Sequence, residues 1–293
     1  MKTQPPFFSI VIPTYCRAES LTTCLAAISR LDYPCSRFEV IVVDDGSKNP
    51  PGKAIEAFRD QFHLHLLTQV HGGPAKARNT GVTQAQGDML AFIDDDCLPT
   101  TNWLSILAAG SSSHPGHMIG GRVINGLNGN LCSEASQILS NLVCVYFNTQ
   151  PGRLAFFNTN NLAMPTARFL EIGGFDSSYT TAEDRDLCDR WQCQGYPMLY
   201  SPEAIVFHRH ALTLRGFWRQ QFGYGQGTSR FYQLRALRSS ERFHLNIKLY
   251  FRIFSHPLLF ERERLPRLFR LTALLTISQI AVAAGFTSAR LGL

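Results

Sequence analysis

Strand-like and helix-like segments alternate through the first hundred residues, and that alternation constrains the fold more than any other feature of the chain. Phe8 to Ile12 is an apolar run ended by Pro13. Phe38 to Val43 and Met89 to Ile93 are two more, and His63 to Thr68 reads as a further strand. Short runs of this kind predict buried strands. Between them the spacing predicts a helix over 19–31, with Leu21, Leu25 and Ile28 on one face, and another over 53–61. A third opens at Gly72-Gly73-Pro74 and runs to residue 85, with Pro in the first turn, where a helix tolerates it. Repeated β-α units of this length predict an α/β fold, a mostly parallel Rossmann-like sheet flanked by helices.

Three of these four segments end on polar or charged clusters, at residues 14–17, 44–47 and 94–96. In an open α/β sheet the ligand crevice lies outside the carboxyl ends of the strands, so these clusters converge on one site. The first strand leads into Pro-Thr-Tyr-Cys-Arg without GxGxxG, which disfavours a dinucleotide-dependent oxidoreductase. The middle of the chain is less regular. Helices are expected over 103–112, 134–147 and 183–194, and strands over 118–124 and 158–164.

Composition excludes several classes. A chain of 293 residues that is 45% hydrophobic buries a core and is not intrinsically disordered. A mean hydropathy of −0.06 excludes a multi-span membrane protein. Eight cysteines with no CxxC pair suit neither a disulfide scaffold nor a zinc ribbon. With no secretory signal at the start, the expected compartment is the cytoplasm. Charge divides unevenly: residues 1–203 carry 14 Lys and Arg against 19 Asp and Glu, whereas residues 204–293 carry 14 against 3. An acidic part followed by a basic one suggests two tasks, the second involving an anionic partner.

Asp94-Asp95-Asp96 is the strongest chemical signal. Three carboxylates at a strand end repel one another unless a cation neutralises them. A divalent ion with hard-oxygen preference, Mg²⁺ or Mn²⁺, would do so and bridge to a phosphate; a solvated acidic turn is the other reading. The triplet does not stand alone. Ser9-Ile10-Val11-Ile12-Pro13-Thr14-Tyr15, Val42-Val43-Asp44-Asp45-Gly46-Ser47, Gly72-Gly73-Pro74-Ala75-Lys76-Ala77-Arg78-Asn79 and Phe92-Ile93-Asp94-Asp95-Asp96 follow in order. Gly173-Gly174-Phe175-Asp176 and Glu183-Asp184 come later. In order and spacing this series resembles the family 2 glycosyltransferases, with the GT-A nucleotide-sugar fold, from about residue 7 to residue 210.

The resemblance implies roles. Pro13, Thr14 and Tyr15 would line the base pocket, and Asp44 would accept a hydrogen bond from a uracil-type N–H. Arg78 would position the nucleotide, with Arg17, Asp45 and Asp95 among the residues lining its site. Asp94 and Asp96 match the family's DxD, both as metal ligands and the first also near the ribose. His208 would be a further ligand, with His210 as its competitor. Asp184 would be the base that takes the acceptor hydroxyl's proton in an inverting transfer, with Glu183 as the second candidate. Acidic residues also favour a helix N-terminus, so a capping role stands beside the catalytic one. Asn158 to Asn161 would face the donor sugar or the acceptor, with no catalytic role.

The implied reaction is metal-dependent transfer of one sugar from a nucleoside-diphosphate sugar, most simply a UDP-sugar, to a hydroxyl acceptor. That acceptor would be a sugar or a lipid-linked acceptor in polysaccharide or glycolipid assembly. Gln220-Gln221-Phe222-Gly223-Tyr224 does not match the QxxRW of processive synthases, which favours single additions. A non-catalytic nucleotide-sugar-binding subunit and a sugar nucleotidyltransferase are the competing readings. In this scheme residues 1–210 form the GT-A domain, with a nucleotide-sugar half over about 1–97 and an acceptor half over about 98–210. Residues 211–293 form a basic, aromatic helical extension. Arg262, Arg264, Arg267 and Arg270 precede the 19 uncharged residues 271–289. That segment either spans a membrane from the cytoplasmic side, lies on an anionic membrane surface, or packs as a soluble core helix. No nucleic-acid partner is expected.

Overall fold

Side chains buried on both faces make β1 (Phe8–Thr14), β2 (Phe38–Asp44) and β4 (Met89–Phe92) interior strands. The computed structural model describes residues 4–148, 155–238, 247–260 and 265–292. Eight strands form one sheet in the order β3-β2-β1-β4-β7-β6-β8-β5, the others being β3 (His63–Thr68), β5 (Cys97–Pro99), β6 (Met118–Asn125), β7 (Leu162–Pro165) and β8 (Met198–His208). β3, β2, β1 and β4 run parallel. The chain therefore moves outward from β1 to β3, then returns to the other side of β1, which places a topological switch point between β1 and β4.

Helices α1 (Ala18–Ile28), α2 (Gly52–Glu56), α3 (Pro74–Val82) and α4 (Trp103–Ser113) connect these strands. The core joins Ile10 and Ile12 of β1 and Val40 and Val42 of β2 to Leu21, Leu25 and Ile28 of α1. The second half of the sheet is mixed, and β6 and β8 in it run parallel. β7 runs antiparallel to both β4 and β6, and β5 antiparallel to β8. Pairing between distant strands is invisible to local periodicity.

Two local expectations are corrected. The helix expected over 53–61 ends at Glu56, because the backbone continues in i→i+3 turns that seat Phe58 and Phe62 in the core. The strand expected over 158–164 is a 3₁₀ turn, Thr159–Asn161, followed by the short β7. Asn161 explains the turn. Its Nδ2 donates to the carbonyls of Arg122 (3.0 Å) and Ala204 (2.8 Å), and its Oδ1 accepts from Trp103 Nε1 (2.9 Å). It fills the register break at Gly121/Arg122, where a Cβ on Gly121 would lie 2.3 Å from Asn161 Nδ2.

The chain divides into two compact units: residues 1–126, 157–178 and 187–209, and residues 127–156, 179–186 and 210–293. The sheet lies in the first unit, with α6 (Thr166–Glu171). The second contains α5 (Leu131–Asn148), α8 (Leu214–Arg238), α9 (Ile247–Phe260) and α10 (Leu265–Leu291), together with the first turn of α7 (Glu183–Cys193). Its own core packs Ala135 and Leu139 of α5 and Phe217 of α8 with Ile253 of α9 and Leu271, Leu274 and Leu275 of α10.

Candidate active site

The switch point gathers the acidic triplet and two arginines. Asp94 and Arg78 form a pair, Nη2 to Oδ1 at 2.6 Å, with the guanidinium almost wholly buried and 5.6 Å over the Phe175 ring. Asn79, the next residue on α3, fixes Phe175 through both backbone groups: its Nδ2 donates to the carbonyl (2.7 Å) and its Oδ1 accepts from the N–H (2.9 Å). The Gly173-Gly174-Phe175-Asp176 segment is thus tied to α3.

Asp95 turns inward. Its Oδ2 accepts from Thr14 Oγ1 at 2.7 Å, and its Oδ1 faces Arg17 Nη1 at 3.2 Å. Burial pushes its pKa up to about 6, against the pull of Arg17 and of the Thr14 hydroxyl. The same Arg17 Nη1 reaches Asp96 Oδ2 at 2.9 Å. Arg17 follows Cys16, whose φ of +54° is uncommon for a side-chain-bearing residue and marks the sharp exit from β1. The Cys16 N–H donates to Ser47 Oγ at 2.7 Å, so the first two clusters brace each other.

Asp96 is the centre of the candidate metal site. Cys97 pairs with His208 across β5 and β8, which sets His208 Nε2 3.3 Å from Asp96 Oδ1. Asp96, Cys97 and His208 each offer a donor atom within 4.8 Å of the others. Burial, with Asp94 and Asp96 nearby, raises the Cys97 pKa well above that of an ordinary thiol. Burial works against charge on His208, but its hydrogen bond to Asp96 and the charges of Asp96 and Asp94 hold its pKa above the usual value. A carboxylate oxygen beside an imidazole nitrogen is a donor set that fits Mn²⁺ and, through the oxygen, Mg²⁺. His210 belongs to the second unit, where its Nδ1 lies 3.2 Å from Gln220 Nε2. His208, in the first unit, is brought to Asp96.

Asp44 and Asp45, adjacent in sequence, have different surroundings. Asp45 accepts from the backbone N–H groups of Gly72 (2.9 Å) and Gly73 (2.8 Å) and from Gln69 Nε2 (2.7 Å), and it lies 2.9 Å from His71 Nδ1. The donors around it come from the chain itself, and it holds the loop that opens α3. Gly73 there has φ +87°, which favours glycine. Asp44 is fully buried. Its Oδ1 accepts from the Ser47 N–H at 3.2 Å, while its Oδ2 is sealed from water and accepts no hydrogen bond. A buried carboxylate oxygen left without a hydrogen bond is costly unless a donor is supplied. Tyr15, exposed at the end of β1, stacks on His71 with ring centroids 4.3 Å apart, and Pro13 is half-buried at the strand end before it.

Glu183 and Asp184 open α7 in the second unit, after Ala182 with φ +72°. Asp184 Oδ1 accepts from the Arg185 N–H at 2.7 Å. Arg185 lies over the rings of Phe147, Phe156 and Phe231 at 5.0–5.6 Å, and buried Asp186 pairs with Arg238 at 2.7 Å. The turn carrying Asp184 is therefore clamped on both sides. Sequence reading missed that clamp, the Asn79–Phe175 link and the Thr14–Asp95 bond. No local pattern announces such long-range partners.

Two family models match the chain, glycosyl transferase family 2 over residues 9–170 and glycosyl transferase family group 2 over residues 90–288. Among curated relatives, glycosyltransferase AglE of Haloferax volcanii is 29% identical over 225 residues, covering 76% of this chain and 73% of its own. The chain spans 46–55% of the next curated relatives it matches. A mannosyltransferase from Pyrobaculum calidifontis, solved with GDP-Man and Mn²⁺, superposes with a TM-score of 0.65 at 19% identity, over 99% of this chain and 77% of that one. Staphylococcus aureus TarS 1–349 with UDP-GlcNAc superposes with a TM-score of 0.56 at 18% identity, over 98% and 92%. The GT-A fold is thereby established, and the chain belongs to glycosyl transferase family 2, a family of transferase enzymes.

Proposed function

We propose that this protein is a metal-dependent, inverting glycosyltransferase that moves one sugar from a nucleoside-diphosphate sugar, with UDP as the favoured nucleotide, to a hydroxyl acceptor. The observation that carries the reading is the Asp96–His208 pair, set 3.3 Å apart at the carboxyl end of the parallel strands. Neighbours in fold were solved with GDP-Man and Mn²⁺ or with UDP-GlcNAc, which supports a nucleotide-sugar donor. Asp96 and His208, with Asp94, are the residues proposed to hold Mn²⁺ or Mg²⁺. Bound there, the ion would supply positive charge to the departing diphosphate. Arg78 holds Asp94 in place, and Arg17 offsets the charge of Asp95 and Asp96. Pro13, Thr14 and Tyr15 are assigned to the base pocket, with Asp44 Oδ2 accepting an N–H from the base. Asp45 positions the loop below it.

Asp184 is proposed as the base. It takes the acceptor hydroxyl's proton as that oxygen bonds to the anomeric carbon from the face opposite the leaving group. The bond to the diphosphate breaks and the nucleoside diphosphate leaves with the electron pair. Glu183 is the alternative base. The proposed acceptor is a sugar or a lipid-linked molecule of polysaccharide or glycolipid assembly, met in the cytoplasm, with residues 1–210 as the catalytic part.

Titration of UDP with Mn²⁺, repeated with excess chelator, tests the metal bridge. Binding is expected with the ion, and loss of at least about tenfold in affinity without it. Equal affinity in both titrations overturns the assignment of Asp96 and His208.

A further inference from the structure

Helices α9 and α10 carry apolar side chains on faces that the fold does not use. On α9, Ile247, Phe251, Phe254 and Leu258 recur at helical spacing and are exposed, Ile247 and Phe251 at 75% each. Leu265 and Phe269, one turn apart at the start of α10, are exposed as well, Phe269 at 70%. These are not core positions awaiting a partner within the unit. The inward faces are already committed, through Ile253 of α9 and Leu271, Leu274 and Leu275 of α10. An outward stripe of this size on helices with a separate packed face marks a docking surface.

Charge identifies what would cover it. Residues 247–260 and 265–292 contain no Asp or Glu, but they hold Lys248, Arg252, Arg267, Arg270 and Arg290. Lys248 and Arg252 flank the stripe on α9, and Arg270 adjoins Phe269; all three are exposed. Aromatic side chains set among cations, with no acid on the described residues of either helix, match an interface whose outer layer is anionic and whose inner layer is hydrocarbon. A second copy of this surface would bring like charges together.

Insertion of α10 as a spanning helix fits the structure poorly. Its 27 residues include an 18-residue window of mean hydropathy 1.5, long and apolar enough to cross a membrane by length and composition. One face, however, is buried from Leu268 to Gly285. Near its end it meets α8 backbone to backbone: a Cβ on Gly285 would lie 2.0 Å from the Phe222 carbonyl, and one on Gly225 2.1 Å from that of Val282. Around that crossing α8 carries Arg219, Gln220, Gln221, Gln226 and Arg230. Taking α10 into hydrocarbon would drag those groups with it or tear the contact apart.

We infer that the outward face of α9 and the first turns of α10 form a docking surface for an anionic lipid bilayer. Phe251, Phe254 and Phe269 enter the acyl boundary while Lys248, Arg252 and Arg270 meet the headgroups. The protein lies on the membrane rather than through it. The inference stands apart from the sugar-transfer reading and neither requires nor supports it.

The test is flotation of the full chain with vesicles of phosphatidylcholine alone or mixed with phosphatidylglycerol. Deleting α10 would strip Leu271, Leu274 and Leu275 from the core, so point variants at exposed positions are used. Wild-type protein is expected to float with the anionic vesicles, weakly with the neutral ones, and to be released by high salt or alkaline wash. The F251S/F269S double variant should bind at least about tenfold more weakly, with an unchanged thermal midpoint. The K248E/R270E variant should lose the preference for phosphatidylglycerol. Wild-type protein remaining unbound at low salt overturns the inference, as does double-serine protein floating like wild type. Retention until detergent is added would mean that α10 spans. A wild-type dimer that F251S/F269S converts to monomer would mean that a second copy covers the stripe.

Discussion

Replacing Asp44 by Asn should move stability and nucleotide affinity in opposite directions. Asp44 lies at the end of β2, fully buried, with Oδ1 accepting the Ser47 N–H at 3.2 Å and Oδ2 without a partner. Burying an unsatisfied polar atom costs roughly 1–3 kcal/mol, and more when it is charged. The neutral amide removes the charge at nearly constant volume, so folding stability should be unchanged or rise by about 1 kcal/mol. Affinity responds differently. A hydrogen bond from a ligand N–H to a carboxylate contributes about 1.5–3 kcal/mol. An Asn has one oxygen to divide between the Ser47 N–H and the ligand, so most of that contribution is lost. At 1.4 kcal/mol per factor of ten, the expected weakening is roughly 10- to 100-fold. Calorimetric titration with UDP and with CDP, both in the presence of Mn²⁺, isolates the contact. Uracil presents an N–H at the ring position where cytosine presents an acceptor. Wild-type protein should therefore prefer UDP, and Asp44→Asn should erase the preference. Equal binding of UDP and CDP by the wild type, or a preference unchanged in the variant, would refute the assignment of Oδ2 as the base receptor.

Two further outcomes follow from the same structure. Asp184→Asn should bind UDP with Mn²⁺ as the wild type does, yet transfer sugar about 10²- to 10⁴-fold more slowly, because an amide takes no proton from the acceptor; near-normal transfer in a coupled assay would move the role to Glu183. Gly285→Val should lower the thermal midpoint by the equivalent of at least about 1–3 kcal/mol, since α8 and α10 must separate to admit the side chain; an unshifted midpoint by scanning calorimetry would mean that the crossing is not tight.

Much of the parallel half of the sheet is legible in the chain itself. β1, β2 and β4 are continuous apolar runs because both of their faces are covered, and each ends where the polarity changes. The polar clusters at the strand ends follow from that pattern. A parallel sheet places every strand's carboxyl end on one edge, so Thr14, Asp44 and Asp94 had to share a neighbourhood whatever the tertiary details. The family was legible as well, because six motifs in order constrain far more than any one of them.

Other features depended on partners far apart in sequence. His208 and His210 are equivalent candidates as letters in the chain; the antiparallel pairing of Cys97 with His208 brings one of them to Asp96. Asp44 and Asp45 likewise read as a pair, until the loop at Gln69 to Gly73 supplies donors to the second and leaves one oxygen of the first without any. Asn161 read as part of a strand because its hydrogen bonds to Arg122, Ala204 and Trp103 cross 39 to 58 residues. The uncharged stretch over 271–289 had the composition of a membrane span, a core helix and a surface helix alike. Composition and periodicity record what each segment prefers to be near. Which partner meets that preference is decided when the distant segments pack together.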